Sequence, residues 1–225
     1  MVTQFEDEEG DEIIRNYFQS KMQKPRKRSN GKFWVSDLGT CKRYMFYNTV
    51  IGRSEPSLES MKNFEWGNRV EDVWEQALIE KYNKRLVKND LEAKIFEDGF
   101  QIWGYTDPVL LKPDGTIDTI WEVKGATNLW ARRASPADSH RAQLHGYMKA
   151  LDQSEGKIIY IHPTHFTTKT YEVEFDDEFW AHLLQRLGEA KDLISDKVLP
   201  KPEKDYSPKC KWCDYQDICE AEWFD

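Results

Sequence analysis

Asp107, Glu122 and Lys124 are the residues of this 225-residue chain whose types and spacing point most directly to chemistry. They bracket the segment GYTDPVLLKPDGTIDTIWEVK, residues 104–124, which has a Pro-Asp-Gly turn signal at its middle. If Asp114-Gly115 makes a two-residue hairpin turn, Asp107 stands opposite Glu122 with Cβ atoms roughly 4.5–5.5 Å apart. Lys124, two residues beyond Glu122, then projects from the same face. Carboxylates that close repel each other unless a cation lies between them or one holds a proton. Hard oxygen donors of this kind suit Mg²⁺ or Mn²⁺. The same three side chains could equally form an exposed charge cluster with Lys124 as counter-ion, and a longer turn would shift the register.

A third acid comes from the segment before the strands. Trp66, Val70, Val73, Trp74, Ala77 and Leu78 recur with helical spacing over 65–82, and Glu71 falls at the edge of that apolar stripe. Further on, Gln143 and Tyr147 are four residues apart and share one face of a helix. They could position a nucleotide, or be a core tyrosine beside a capping glutamine. Arg132, Arg133 and Arg141, close to that helix in sequence, are candidate phosphate contacts.

The chain carries four cysteines: Cys41 alone, then Cys210, Cys213 and Cys219 together near the C-terminus. Four thiolates suit an iron–sulfur cluster or structural Zn²⁺, and both use C-x₂-C pairs. A reducing cytoplasm, the expected compartment, favours metal ligation over disulfides. The N-terminus, MVTQFEDEEGDE, has neither the basic nor the apolar region of a secretory signal.

The elements that must hold these residues follow from periodicity and turn chemistry. Strands are expected over Ile95–Ile102, Trp103–Lys112 and Thr116–Gly125, then a helix from about 136 or 138 to 151. A strand pair follows at Gly156–Pro163 and Thr168–Phe175, and Asp176 or Asp177 caps a long helix ending near Asp196. Pro200, Pro202 and Pro208 mark a linker into the cysteine cluster. Helix, three strands, helix, two strands, helix is an α/β order without the regular alternation of a doubly wound dinucleotide fold.

Composition limits the remaining options. Aromatic residues make up 13% of the chain, with nine tryptophans, which supplies a core and excludes wholesale disorder. No apolar run approaches the ~20 residues of a membrane span. The net charge of −8 argues against a protein that simply coats nucleic acid. The charge is uneven, however. Six acids and no base occupy residues 1–12, whereas nine bases and one acid occupy 13–43. That basic strip, which ends at Arg43, reads either as a phosphate-binding surface or as a solvated loop.

Taken in order, these residues resemble a known family. Asp107 followed by Glu122-Val123-Lys124 resembles the signature of the PD-(D/E)XK nucleases, and Gln143-Leu-His-Gly-Tyr147 matches the Q-x-x-x-Y motif of their RecB-like branch. The one-plus-three cysteines, with Ser36-Asp-Leu-Gly-Thr-Cys41-Lys-Arg43-Tyr44, resemble its iron–sulfur subgroup. That subgroup includes the CRISPR-associated Cas-four nucleases, the AddB nuclease domain and related phage proteins.

The resemblance implies a restriction-endonuclease-like core, a mixed central sheet flanked by helices. It would form a single domain over 31–225 after an N-terminal tail, residues 1–30. Position 41 and residues 206–222 would form a metal-cluster module. It implies metal-assisted hydrolysis of DNA, with Glu71, Asp107, Glu122 and the Val123 carbonyl holding Mg²⁺ or Mn²⁺, Lys124 acting on the attacking water, and Gln143 and Tyr147 placing the substrate. A 4Fe–4S cluster on Cys41, Cys210, Cys213 and Cys219 is implied, with Zn²⁺ the alternative. The implied activity is a 5′→3′ exonuclease on single-stranded DNA or free ends, with endonuclease activity besides. The implied setting is recombination, repair or CRISPR adaptation, with partner proteins of those processes, in the cytoplasm of a bacterial, archaeal or phage-infected cell. An inactive DNA-binding adaptor on the same fold is the alternative. One departure stands out: the subgroup's usual Gly-x-x-x-His reads Gly67-Asn-Arg-Val-Glu71 here, which makes the site harder and more negative.

Overall fold

The computed structural model describes residues 12–13, 16–18, 20, 28–52, 58–97, 99–129, 135–203, 210 and 213–221. Strand β1 (Lys32–Trp34) and a 3₁₀ turn (Val35–Gly39) lead to helices α1 (Lys42–Val50) and α2 (Leu58–Tyr82). Five strands follow: β2 (Val87–Lys88), β3 (Glu92–Glu97), β4 (Phe100–Tyr105), β5 (Val109–Leu111) and β6 (Ile117–Gly125). Helix α3 (Asp138–Ala150), strands β7 (Glu155–Ile161) and β8 (Thr168–Glu174), and helices α4 (Asp177–Ser195) and α5 (Gln216–Ala221) follow among the described residues. No helix among the described residues is long and apolar enough to cross a membrane.

The strands form two sheets, one in the order β1-β4-β3 and the other β2-β5-β6-β7-β8. Strand β6 pairs with β7 in parallel, and β7 with β8 antiparallel. A parallel neighbour needs a crossover, which α3 supplies. This helix lies between the sheets, touching β6 and β7 on one side and β3 and the 3₁₀ turn on the other. Its Ala142, Leu144 and Met148 are fully buried in the main core with Ile102, Ile120 and Ile158. Helix α2 covers the opposite face of the large sheet, where Val70 joins Val123, Ile159 and Ile161, and Leu78 joins Val87 and Leu110.

Close packing of α3 depends on two glycines. A Cβ at Gly39 would lie 2.5 Å from the Ser139 carbonyl oxygen, and one at Gly146 would lie 2.7 Å from Val35 Cγ1. The first obstruction is backbone and cannot turn aside. Gly39→Ala is therefore expected to cost roughly 1–3 kcal/mol, the scale of overpacking a core, measurable by urea denaturation.

Several boundaries differ from those the sequence suggests. The expected strand Ile95–Ile102 is the end of β3, a turn at Gly99 (φ +74°) and the start of β4. Asp98-Gly99 is itself a hairpin dipeptide, which the apolar run on either side conceals. The expected strand Trp103–Lys112 also divides, because β4 belongs to the small sheet and β5 to the large one. The chain changes sheets at Thr106-Asp107-Pro108, where proline has no N–H for a ladder. On α2, Val70 and Leu78 are buried, but Trp66, Val73 and Ala77 face solvent, so the stripe is narrower than its periodicity implies.

Candidate active site

The turn between β5 and β6 is longer than two residues. Lys112 N–H donates to Thr116 O at 2.8 Å, enclosing Pro113, Asp114 and Gly115, and Gly115 takes φ +87°. A register shift between Leu110 and Leu111 follows, with Leu111 opposite Ile117 but Leu110 opposite Thr119. A three-residue loop with a left-handed glycine commonly brings such a bulge. The bulge absorbs the extra residue, Asp118, and restores the pairing that a two-residue turn would have given, Val109 with Ile120. Two errors in the simple hairpin picture thus cancel, and Asp107 and Glu122 meet.

Asp107 lies just outside the ladder, and its side chain replaces a backbone partner. Pro108 O accepts from Trp121 N–H at 3.2 Å, and Asp107 Oδ2 then accepts from Val123 N–H at 2.7 Å. The strand before it is held by Thr106, whose backbone bonds Asp90 and Leu91. Val123 turns its side chain into the α2 cluster, while Glu122 and Lys124 face α3.

Glu122 is completely buried, 0% exposed. Neither of its carboxylate oxygens receives a hydrogen bond of good geometry, although Lys124 Nζ lies 2.5 Å from Oε1 as an ion pair. The same ammonium is 3.7 Å from Asp107 Oδ2. Burial raises the Glu122 carboxyl from 4.5 to about 8, with Asp107 and Glu71 adding repulsion against the pull of Lys124. Glu71, reaching in from α2, is likewise raised by burial and then by Asp107, to about 7. Burial works against the Lys124 ammonium, but Glu122, Asp107 and Glu71 together outweigh it and hold its pKa above the usual lysine value. On α3, Gln143 Nε2 donates to Tyr147 Oη at 3.0 Å. Tyr147 is 4% exposed; burial raises its phenol, and the charges of Glu122, Asp107 and Glu71 raise it further. Helices on both sheet faces therefore bring Glu71, Gln143 and Tyr147 to the carboxylate pair.

The donor set fits a hard divalent cation. It supplies three acids, two with carboxyl groups raised by burial even with Lys124 beside them. Among the described residues, no three His, Cys, Asp or Glu side chains are drawn tightly enough together to enclose an ion. Lys124 is the positive charge set between Glu122 and Asp107.

The arginines are placed differently from expectation. Arg43 is 7% exposed, with Nε donating to Pro200 O at 2.7 Å and Nη1 to Cys219 O at 3.2 Å, so its donors are used inside the protein and not on phosphate. Arg141 lies 4.6 Å over the Phe179 ring and pairs with Asp138 at 3.1 Å, turned towards α4 and away from Gln143 and Tyr147. A two-residue offset on a helix is about 200°, which separates Arg141 from Gln143. Arg132 and Arg133 lie outside the described residues.

The cysteine segments come together through α1. Cys41 caps this helix, its sulfur accepting from Tyr44 N–H at 3.4 Å. Tyr215, 1% exposed, donates to Asn48 Oδ1 or Gly52 O, each at 2.9 Å, and packs on Tyr47 and Tyr44. Arg186, which sequence reasoning passed over, donates to Leu38 O, Thr40 O and Glu203 from α4. Its signal was only a cation on a core-facing position of an amphipathic helix. Burial raises the Cys41 thiol, and Cys210 and Cys219 lie near enough to raise it further. Burial likewise raises Cys213 to about 11, with Cys41 and Cys210 contributing.

A mixed sheet with an acid at the end of one strand, Glu-x-Lys on its neighbour and a crossover helix behind them defines the architecture of a phosphodiester-cleaving nuclease. The chain belongs to the PD-(D/E)XK nuclease superfamily, whose sequence profile matches residues 8–220. It is accordingly a hydrolase of DNA. Among solved structures it is similar to SSO0001, at TM-score 0.62 and 18% identity, over 97% of this chain and 98% of that one. It is also similar to the alkaline exonuclease LHK-Exo from Laribacter hongkongensis, at TM-score 0.54 and 13% identity, over 81% of this chain and 93% of that one. A phage-related exonuclease from Haemophilus somnus 129PT aligns at TM-score 0.50 and 15% identity, over 76% of this chain and 98% of that one. At 18% identity or less, these likenesses establish the fold. No curated protein matches the sequence.

Proposed function

We propose that the chain is an exonuclease that acts on single-stranded DNA or free ends in the 5′→3′ direction, with endonuclease activity in addition, using Mg²⁺ or Mn²⁺. The observation that carries metal-dependent cleavage is Glu122, a fully buried carboxylate beside two further acids, with the Lys124 ammonium 2.5 Å from one of its oxygens. A buried charge in that condition is tolerated when it serves a cation. Asp107, Glu122, Glu71 and the Val123 carbonyl would hold the ion, which supplies Lewis acidity at the phosphate. Asp107 is fixed by the Val123 N–H, so it presents its other oxygen without reorganisation. Lys124 offsets negative charge as it develops, and Gln143 with Tyr147 orients the nucleotide.

The four cysteines are proposed to hold a 4Fe–4S cluster, with Zn²⁺ as the alternative. Support comes from the docking of Tyr215 onto α1, which puts Cys41 within electrostatic reach of Cys210, Cys213 and Cys219. Anaerobically purified protein is expected to be brown and to contain iron. Cys213→Ser is expected to lose the iron and melt at lower temperature, and colourless protein with stoichiometric zinc would reverse the assignment. The subgroup resemblance also supports work in the cytoplasm of a bacterial, archaeal or phage-infected cell, alongside recombination or CRISPR-adaptation proteins.

The activity is tested with 5′- and 3′-labelled single- and double-stranded DNA in Mn²⁺, Mg²⁺ and EDTA. Metal-dependent loss of the 5′ label ahead of internal cuts is the expected result. DNA binding without cleavage in either metal would overturn it and leave the adaptor.

A further inference from the structure

The outer face of the small sheet carries aromatic side chains where a solvent-facing surface is ordinarily polar. Phe33, Ala93, Ile95, Phe100 and Ile102 point into the core, and the alternate positions point out. Among those outward positions, Trp34 pairs in register with Trp103, and Tyr105 and Phe96 lie on the same face. The Trp34 and Trp103 rings are 4.2 Å apart and inclined by 33°, and Tyr105 lies 5.4 Å from Trp103. Phe96 is 71% exposed and Tyr105 44%. Basic groups lie on the same face: Lys32 and Lys94 in the strands, and Arg28, which lies 5.6 Å over Trp34 and is ion-paired with the buried Asp37. Its one strand acid, Glu92, is held by Lys94 and by Trp103 Nε1, at 2.8 and 3.2 Å.

We propose that this face is a stacking platform for the unpaired bases of single-stranded DNA, feeding the strand to the carboxylate site. The inference rests on the DNA-cleaving reading of that site. Continuity carries it: β4 bears Trp103 and Tyr105, and Asp107 follows two residues later, at most about 7 Å of extended chain. The Trp103 and Tyr105 rings, 5.4 Å apart and inclined by 66°, are too far apart and too steeply inclined for two bases at the roughly 3.4 Å rise of a stacked strand to lie flat on both. Trp103 and Tyr105 therefore suit bases that have been splayed apart, and a duplex, with its bases paired inside, cannot offer them. Aromatic faces accept any base, while Lys32 on the same face offers a charge to the backbone.

The test is anisotropy of labelled oligothymidylate and of a blunt duplex, in EDTA, for Trp103→Ala, Phe96→Ser and wild type. Hydrolysis of bis(p-nitrophenyl) phosphate in Mn²⁺, a substrate too small to span the face, is measured alongside. Each variant is expected to lose roughly 5- to 100-fold in single-strand affinity, with duplex affinity and hydrolysis of the small substrate unchanged. Trp103→Phe is expected to recover most of the loss, since it restores a π-face. Phe96 is so exposed that its removal leaves the fold intact, which keeps the test decisive if Trp103→Ala unfolds. Single-strand affinity within about twofold of wild type, or an equal loss on duplex, would overturn the platform. Failure of wild type to hydrolyse the small substrate would instead count against the nuclease reading.

Discussion

Asp107→Ala is expected to abolish metal-dependent DNA cleavage and, with it, the thermal stabilisation that Mn²⁺ gives the wild-type protein. Lys124→Ala is expected to abolish cleavage while keeping that stabilisation. The two differ because one removes a donor and the other a competing cation. Asp107 is anchored through Oδ2 to Val123 N–H, so its loss takes away a preset oxygen and leaves a buried N–H unpaired. Lys124 stands 2.5 Å from Glu122 and 3.7 Å from Asp107, and its ammonium competes for the carboxylates that a metal would use. Those acids hold its pKa above the usual lysine value, so at neutral pH it acts as a fixed positive charge before it can act as a base. Loss of a charge of that kind at a reacting phosphate is worth roughly 10²–10³ in rate. Cleavage of labelled DNA and a melting curve with and without Mn²⁺ resolve both points. A Lys124→Ala protein that cuts at the wild-type rate, or an Asp107→Ala protein still stabilised fully by Mn²⁺, would remove these residues from the roles proposed.

The carboxylate pair was legible in the sequence because hairpin pairing is nearly a matter of counting. Even so, the count succeeded through compensation: the loop is one residue longer, and the bulge at Asp118 returns that residue. Sequence could not show that Asp107 closes the ladder with its side chain, since that depends on Pro108 forcing the change of sheet. Glu71 was visible as a residue at the edge of an apolar stripe, and in the fold burial and then the charge of Asp107 raise its carboxyl. Cations were the least legible. Arg43 and Arg141 are long side chains that can fold back onto carbonyls or rings, and one-dimensional proximity to a motif does not reveal which way they turn. The aromatic face of the small sheet was hidden by the same fault that fused β3 with β4. With Gly99 read as strand interior, Phe96 and Trp103 lose their common side.

Glu122→Gln should abolish cleavage yet make the metal-free protein more stable at alkaline pH. The sign follows from linkage. A carboxyl raised by burial from 4.5 to about 8 favours the protonated native state. Below pH 4.5 it is protonated whether folded or unfolded and carries no penalty. As pH rises towards 8 the unfolded chain ionises freely while the native site resists, and stability is lost across that interval. Glu71, raised to about 7, adds to the lower part of the same decline. Glutamine keeps the shape and removes the titration, and Lys124 retains Asp107 as a partner at 3.7 Å. The difference between variant and wild type therefore reports Glu122 with the acids it faces, Asp107 and Glu71, and cancels the carboxyls elsewhere in the chain. It should be near zero at pH 4.5 and about 1–2 kcal/mol at pH 8, the scale of an unmet buried group. For a chain of this length that raises Tm by roughly 2–8 °C. Mn²⁺ should steady the wild-type protein over the same pH interval and have less effect on Glu122→Gln, because the charge it answers is gone. Melting curves at several pH values, with EDTA and with Mn²⁺, provide the measurement. If the variant were the less stable protein at pH 8 in EDTA, Glu122 would be holding the fold together and not holding a metal.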